Sequence, residues 1–217
     1  VNILRGGSLP AKPILISESR VGAAFGAEAI KHGVTAVASA MIAILVFMLV
    51  YYMVGGVVAN IALVLNIILI LAYVLTFRQT LTFPGIAGVL LTIGMAVDAN
   101  ILIFERVREE FLKGKSLTAA LGAGYQRAFW VIFDSNLTTL ITGMVLFRFG
   151  SGPVKGFAVT LIAGIIASFF TAVFVTRLIL SFMINRGWVK DRFPMLRVIG
   201  VPRVDFQAYR KPFLAVS

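Results

Sequence analysis

The fold is decided by a stretch near the middle of the chain, residues 84–104, which reads PGIAGVLLTIGMAVDANILIF. As an α-helix this stretch rises about 30 Å, the thickness of the hydrocarbon core of a bilayer. Its one ionisable side chain is Asp98. The stretch therefore predicts a transmembrane helix that begins at Pro84, where the missing N–H costs nothing.

Comparable apolar runs lie on both sides of this stretch, and together they predict five transmembrane helices. Their bounds are 34–54, 57–77, 84–104, 130–150 and 154–183. The 217 residues are 59% hydrophobic and 13% charged, with a mean hydropathy of +0.98, whereas soluble domains carry roughly 25% charged residues. The predicted fold class is all-α, a polytopic membrane helix bundle, and a soluble globular fold is excluded.

The segments between the runs predict how the chain is organised. Residues 1–32 form an extramembrane segment, 33–184 the bundle, and 185–217 a linker that leads to the start of a further span. Only Gly55-Gly56 separate the first two runs, and only Ser151-Gly152-Pro153 separate the last two, so each of these pairs predicts a tight antiparallel hairpin. The chain has the character of a fragment of a longer protein.

The basic residues predict an orientation. Of the 20 Lys and Arg residues, twelve lie in the 105–129 loop and the tail after residue 185, and six lie on the other side. By the positive-inside rule the loop and the tail are cytoplasmic, and the N-terminal segment is outside. The basic residues behind the net charge of +11 are expected to face lipid headgroups, and no nucleic-acid partner is predicted.

Asp98 is the first candidate for chemistry. A carboxyl group within hydrocarbon costs a few kcal/mol, so one found there usually meets a partner, a cavity or a proton path. The alternative is a permanently protonated side chain that holds helices together. Asn100 lies about 200° around the helix from Asp98, and we expect it to bond to another helix.

A second polar triplet, Asp134-Ser135-Asn136, lies near the start of the fourth run. Asp134 is in the first turn, where negative charge complements the helix dipole, so a boundary role and proton handling both stay open. Asn136 is followed by Thr138, Thr139 and Thr142. This polar stretch predicts an inward-facing helix, with ordinary Ser/Thr/Asn packing as the alternative.

The fifth run carries a ladder of small residues spaced four apart, which predicts close helix packing. The ladder is Thr160, Gly164, Ser168, Ala172 and Thr176. Leu161→Phe is expected to be tolerated if Leu161 faces lipid. After the third run, the pairs Arg106–Glu110 and Glu105–Arg108 are predicted to be weak and exposed. The chain has no cysteine and no phosphate-loop, zinc or Ser/His/Asp pattern, so neither an enzyme nor a bound cofactor or metal is predicted.

Several of these motifs together resemble the SecD membrane domain of the bacterial protein-export machinery, in the resistance-nodulation-division superfamily. The motifs are Phe83–Gly88, Gly94–Asn100, Phe104–Glu110, Asp134–Thr142 and Gly152–Ala158. Residues 4–10 and 21–22 resemble the end of a periplasmic domain, and residues 204–211 resemble the entry to a SecF half, which implies a fused SecD–SecF parent. Arg148 departs from the pattern, since relatives usually have an uncharged residue there.

The resemblance implies a subunit that uses the proton-motive force to help the SecYEG translocon export unfolded preproteins across the bacterial inner membrane. Asp98 matches the family's proton-carrying Asp, and Asp134 and Asn136 match a second polar motif. Partners implied are the SecF half, SecYEG, YajC, YidC and the lipid bilayer. A small-molecule or lipid exporter of the same superfamily and a passive membrane scaffold remain as alternatives.

Overall fold

A computed structural model of the chain describes residues 23–78, 82–189 and 195–196. The chain divides into two compact units, residues 1–36 and 37–217. The described part of the first unit is helical, and in it the imidazole of His32 lies 3.7 Å from the carboxylate of Glu28. The resemblances in residues 4–22 and 204–211, and the predicted start of a further span, lie outside the described residues.

The described residues contain α-helices and one short π-helix, and no strand. Five helical stretches are long and apolar enough to span a membrane, which confirms the predicted helical membrane bundle. The helices are α1 (Ala23–Tyr52), α2 (Val54–Thr76), α3 (Phe83–Leu112), α4 (Leu117–Phe149), α5 (Pro153–Phe170) and α6 (Thr176–Asn185). The π-helix, Thr171–Val175, joins α5 to α6, so Pro153–Asn185 form one span.

Several helices are longer than the apolar runs from which they were predicted. The helix α4 begins 13 residues before Trp130, because Ser116 caps it by accepting a hydrogen bond from the backbone N–H of Ala119. The helix α1 continues across the predicted domain boundary at residue 32. Hydropathy marks the part of a helix that lies in lipid, and caps decide where the helix begins.

The first predicted hairpin is present, but its turn is not at the two glycines. The chain reverses at Met53, which has a φ of 46°, and Gly55 and Gly56 lie inside α2. A Cβ on Gly56 would lie 1.9 Å from the carbonyl oxygen of Met48. The glycine is needed where the helices meet, and the predicted position of the turn was wrong.

The second predicted hairpin is confirmed. The helix α4 ends at Phe149, Gly152 has a φ of 50°, and α5 begins at Pro153. Beyond the turn, Gly143 faces Ile162, and the Tyr125 and Thr176 hydroxyls are 2.6 Å apart. The two helices therefore run antiparallel along their length.

The small-residue ladder is buried along its whole length, as predicted. A Cβ on Gly164 would lie 2.5 Å from the Thr92 side chain, and one on Gly88 would lie 2.4 Å from the Thr160 hydroxyl. Leu161 does not face lipid, because this residue is 2% exposed. The fifth span packs against α2, α3 and α4, so it buries more than the ladder face.

Candidate functional site

Asp98 is exposed on α3, on the side of the helix that faces away from the core. It lines a cavity of about 250 Å³ between α3 and α4. The α3 residues of the cavity wall recur at helical spacing, and the α4 residues come from a single turn. The wall consists of Met95, Asp98, Ala99, Leu102, Ile132, Ser135 and Asn136.

The sequence gives four candidate residues for proton transport, Asp98, Asn100, Asp134 and Asn136. The cavity brings together two of them, Asp98 and Asn136. The amide of Asn136 donates to the carbonyl oxygen of Ile132 at 2.7 Å, which holds the side chain against its own helix. The carboxylate of Asp98 has no hydrogen bond or ion pair with any other described residue. The carboxyl group is therefore open to a partner from outside the described residues.

Asn100 is 2% exposed and points into the core, on the opposite side of α3 from Asp98. Two residues correspond to about 200° of helix rotation, so this separation was predicted. The expected bond to another helix is not complete, because the buried Oδ1 of Asn100 accepts no hydrogen bond from the described residues. Asn66 on α2 is also fully buried, and neither its Oδ1 nor its Nδ2 has such a partner.

Asp134 lies on the exposed surface of α4 and does not line the cavity. It belongs to a polar surface on this helix that also includes Ser135, Thr138 and Thr142, which are exposed, and Thr139, which is half-buried. The three threonine hydroxyls donate to carbonyl oxygens four residues earlier in α4. We call these five residues the α4 polar face. The prediction that this stretch faces inward is wrong within this chain.

The α4 polar face lies within an apolar span, where carboxylates and hydroxyls facing lipid are costly. Bonding each hydroxyl to its own backbone removes part of that cost for the threonines. Such bonds do not lower the cost of placing Asp98 or Asp134 in the span. Both carboxyl groups therefore require water or another protein surface beside α3 and α4.

Sequence reasoning missed a cluster of charges around Glu110, near the end of α3. Its side chain is 1% exposed and lies 2.6 Å from Lys113, 2.5 Å from Lys115 and 3.0 Å from Arg127. The predicted Arg106–Glu110 pair is wrong, since Arg106 pairs with Glu109 at 2.8 Å. The Glu105–Arg108 pair is present at 3.4 Å. Three cations around one buried carboxylate tie α3, the turn and α4 together.

The described residues contain no group of three or more His, Asp or Glu side chains that could hold a metal ion. Arg148, the departure from the family pattern, lies with its guanidinium 5.7 Å from the ring centroid of Phe149. Neither observation adds a residue to the cavity of Asp98. Asp98 is the one ionisable side chain in the wall of this cavity.

Comparison with known proteins gives concordant matches. Residues 9–186 match the sequence profile of the family described as protein export membrane protein SecD/SecF, C-terminal. The chain is 51% identical to the protein translocase subunit SecD of Rhodothermus marinus over 85% of this chain and 30% of that protein. It is 52% identical to the SecD of Syntrophobacter fumaroxidans over 87% of this chain and 35% of that protein.

The structure also matches a solved one. The crystal structure of SecDF from Thermus thermophilus, described as a translocon-associated membrane protein, matches with a TM-score of 0.81 and 36% sequence identity. The match covers 90% of this chain and 27% of that one. The chain thus spans about a third of the length of the curated relatives it matches.

Proposed function

Because the chain belongs to the family of SecD/SecF protein-export membrane proteins, we propose that it is the membrane domain of an accessory subunit of the Sec protein translocase. In this proposal it helps to export unfolded preproteins across the bacterial inner membrane and catalyses no covalent chemistry. The names of the curated relatives support the role. The division into segments 1–32, 33–184 and 185–217, and the orientation, are parts of the same proposal.

The observation that carries the proposal is the exposed Asp98 in a cavity between two membrane-spanning helices. Placing a charged Asp at the centre of a bilayer costs about 2.5–3.5 kcal/mol on insertion scales. Moving one elementary charge through 100 mV of membrane potential is worth about 2.3 kcal/mol. These energies are comparable, so a proton gradient can decide whether Asp98 is charged.

Protonation of Asp98 is then coupled to movement. The neutral acid is tolerated beside apolar side chains, whereas the carboxylate needs water or a cation. A change in charge therefore favours a different arrangement of whatever covers the cavity. In the proposed cycle Asp98 carries the proton, Asn136 provides a polar wall beside it, and Asp134 and Asn100 act outside the cavity.

We propose that the α4 polar face and the cavity of Asp98 are covered by a second membrane domain, the SecF half. The exposed acidic and hydroxyl groups in a span support this partner, because lipid alone would leave them unsolvated. SecYEG, with YajC and YidC, would be partners outside this contact. The fused SecD–SecF parent stays a prediction.

The decisive experiment replaces Asp98 with Asn in the full-length protein. Asn is nearly isosteric but cannot titrate, so we expect loss of the increment in export that a proton gradient provides, with folding and expression retained. The measurement is the rate of preprotein export into inverted membrane vesicles with and without a gradient. The matched control is Glu109→Gln, since Glu109 is a half-exposed acid on the same helix.

An Asp98→Asn protein that keeps the whole increment would refute the proton-carrier role and favour the alternative in which Asp98 only joins helices. Asn can form such a bond as well as a protonated Asp. Loss of the increment in the Glu109→Gln control as well would attribute the effect to surface charge on α3 and not to the cavity.

One observation fits the exporter alternative. An apolar cavity of about 410 Å³ lies between α2 and the fifth span, with Leu69, Tyr73 and Ile166 in its wall, and such a cavity suits an apolar ligand. It is separate from the cavity of Asp98. The Ala163→Phe substitution fills this cavity. If the cavity held a transported molecule, this substitution would abolish gradient-dependent transport as completely as Asp98→Asn does.

A further inference from the structure

A second polar cavity, of about 480 Å³, lies between α4 and the beginning of α6. Gly122, Gln126 and Trp130 line it from α4, and Arg177 lines it from α6. These α4 residues are spaced four apart and therefore form one stripe of the helix. We call this site the Arg177 pocket.

The Arg177 pocket carries a positive charge that no described residue neutralises. The side chain of Arg177 is exposed, and its guanidinium carbon lies 5.8 Å from the ring centroid of Tyr125. It forms no ion pair with any described residue, and the pocket wall contains no acidic side chain. By contrast Arg127, the neighbour of Gln126, is held by Glu110 at 3.0 Å. The hydroxyl of Tyr125 is already bonded to Thr176.

The pocket lies at the depth where hydrocarbon meets headgroups. The helix α4 ends, and the fifth span begins, at the turn formed by residues 150–152. From Phe149 to Trp130 the chain rises about 29 Å, and from Pro153 to Arg177 about 36 Å. The hydrocarbon core is about 30 Å thick, so the pocket opens at the far boundary. Trp130 is 68% exposed there, as aromatic residues at membrane interfaces are.

We propose that the Arg177 pocket binds the phosphate-bearing headgroup of an anionic phospholipid in the adjoining leaflet. The guanidinium and the amide of Gln126 supply hydrogen-bond donors for phosphate oxygens. Basic pockets between transmembrane helices are sites for such headgroups. The site is separate from the cavity of Asp98, and the inference does not depend on the transported substrate.

The test is native mass spectrometry of the delipidated full-length protein. The probes are phosphatidylglycerol and phosphatidylcholine with the same acyl chains, and inorganic phosphate. We expect one phosphatidylglycerol to bind at least about fivefold more tightly than phosphatidylcholine, the ratio for one basic residue at a membrane surface. Arg177→Gln should remove this preference. Arg186→Gln, at the end of α6 outside the pocket, should retain it.

A second variant keeps the charge and removes the space. No atom lies within 4 Å of the position of a Cβ on Gly122, so Gly122→Leu should fold and fill the pocket, and the preference should again disappear. If Arg177→Gln does not fold, this variant decides. Equal binding of the two lipids to the wild type, or a preference retained in Gly122→Leu, would overturn the proposal. Displacement of phosphatidylglycerol by millimolar inorganic phosphate would identify a site for a free anion instead.

Discussion

At the scale of single residues, helix geometry explains what the sequence could predict and what it missed. Asp98 and Asn100 were expected to face opposite ways from their spacing alone, and the structure places one at an open cavity and the other in the core. The partners of Glu110 were not predicted, because two of them lie beyond the end of α3 and across a turn. Periodicity finds neighbours three or four residues away, and it does not show where a following helix packs.

The first prediction at this scale concerns Glu110. We expect Glu110→Gln to lower the midpoint of thermal unfolding in detergent, because a neutral amide leaves Lys113, Lys115 and Arg127 close together without their shared anion. Glu109→Gln is the control, since Glu109 is 48% exposed and holds one partner. The shift for Glu110→Gln should be at least about three times that of the control, as for buried compared with exposed ion pairs. Equal shifts would show that the cluster adds no stability.

At the scale of helices, glycines mark where backbones approach, and only some of these approaches could be predicted. The ladder in the fifth span has a regular spacing, and its burial was predicted correctly. Whether Leu161 faces lipid could not be predicted, because the sequence does not show how many neighbours surround a helix. The turn at Met53 was missed for a related reason: two adjacent glycines indicate a turn, but here Gly56 is required by contact with Met48.

A matched pair of glycines in α4 tests the interpretation that some glycines mark a close approach of two helix backbones. A Cβ on Gly124 would lie 2.6–2.7 Å from Val107, including its backbone, whereas one on Gly122 meets nothing within 4 Å. We expect Gly124→Ala to destabilise the bundle by about 1–3 kcal/mol through overpacking. Gly122→Ala should be neutral or stabilise it by up to about 1 kcal/mol, the difference in helix propensity. Both are measured by thermal unfolding in detergent, and a Gly124→Ala protein as stable as the wild type would contradict the close crossing of α3 and α4.

At the scale of the whole molecule, the hydropathy runs predict five spans, and the described residues contain five helical stretches long and apolar enough to be spans. The burial of each span was harder to predict from the sequence, since it depends on what else is present in the membrane. The fifth span is the most buried of the five, while most of α4 is not covered by this chain. The prediction of an inward-facing α4 assumed that polar residues in a span pack within the same chain. In the proposed function, the residues of the α4 polar face are covered from outside it.

The last prediction tests that coverage directly. Thr142 and Met144 are both exposed in this chain and lie about 160° apart around α4 at nearly the same depth. Because the chain has no cysteine, a nitroxide can be attached to a single cysteine at either position of an otherwise cysteine-free full-length protein in lipid. If a second membrane domain covers the α4 polar face, the label at 142 should be immobilised and shielded from dissolved oxygen, whereas the label at 144 should be mobile and accessible to it. Electron paramagnetic resonance measures both properties. Equal accessibility to oxygen at the two positions would mean that the α4 polar face is open to lipid, which the cost of its carboxyl and hydroxyl groups argues against.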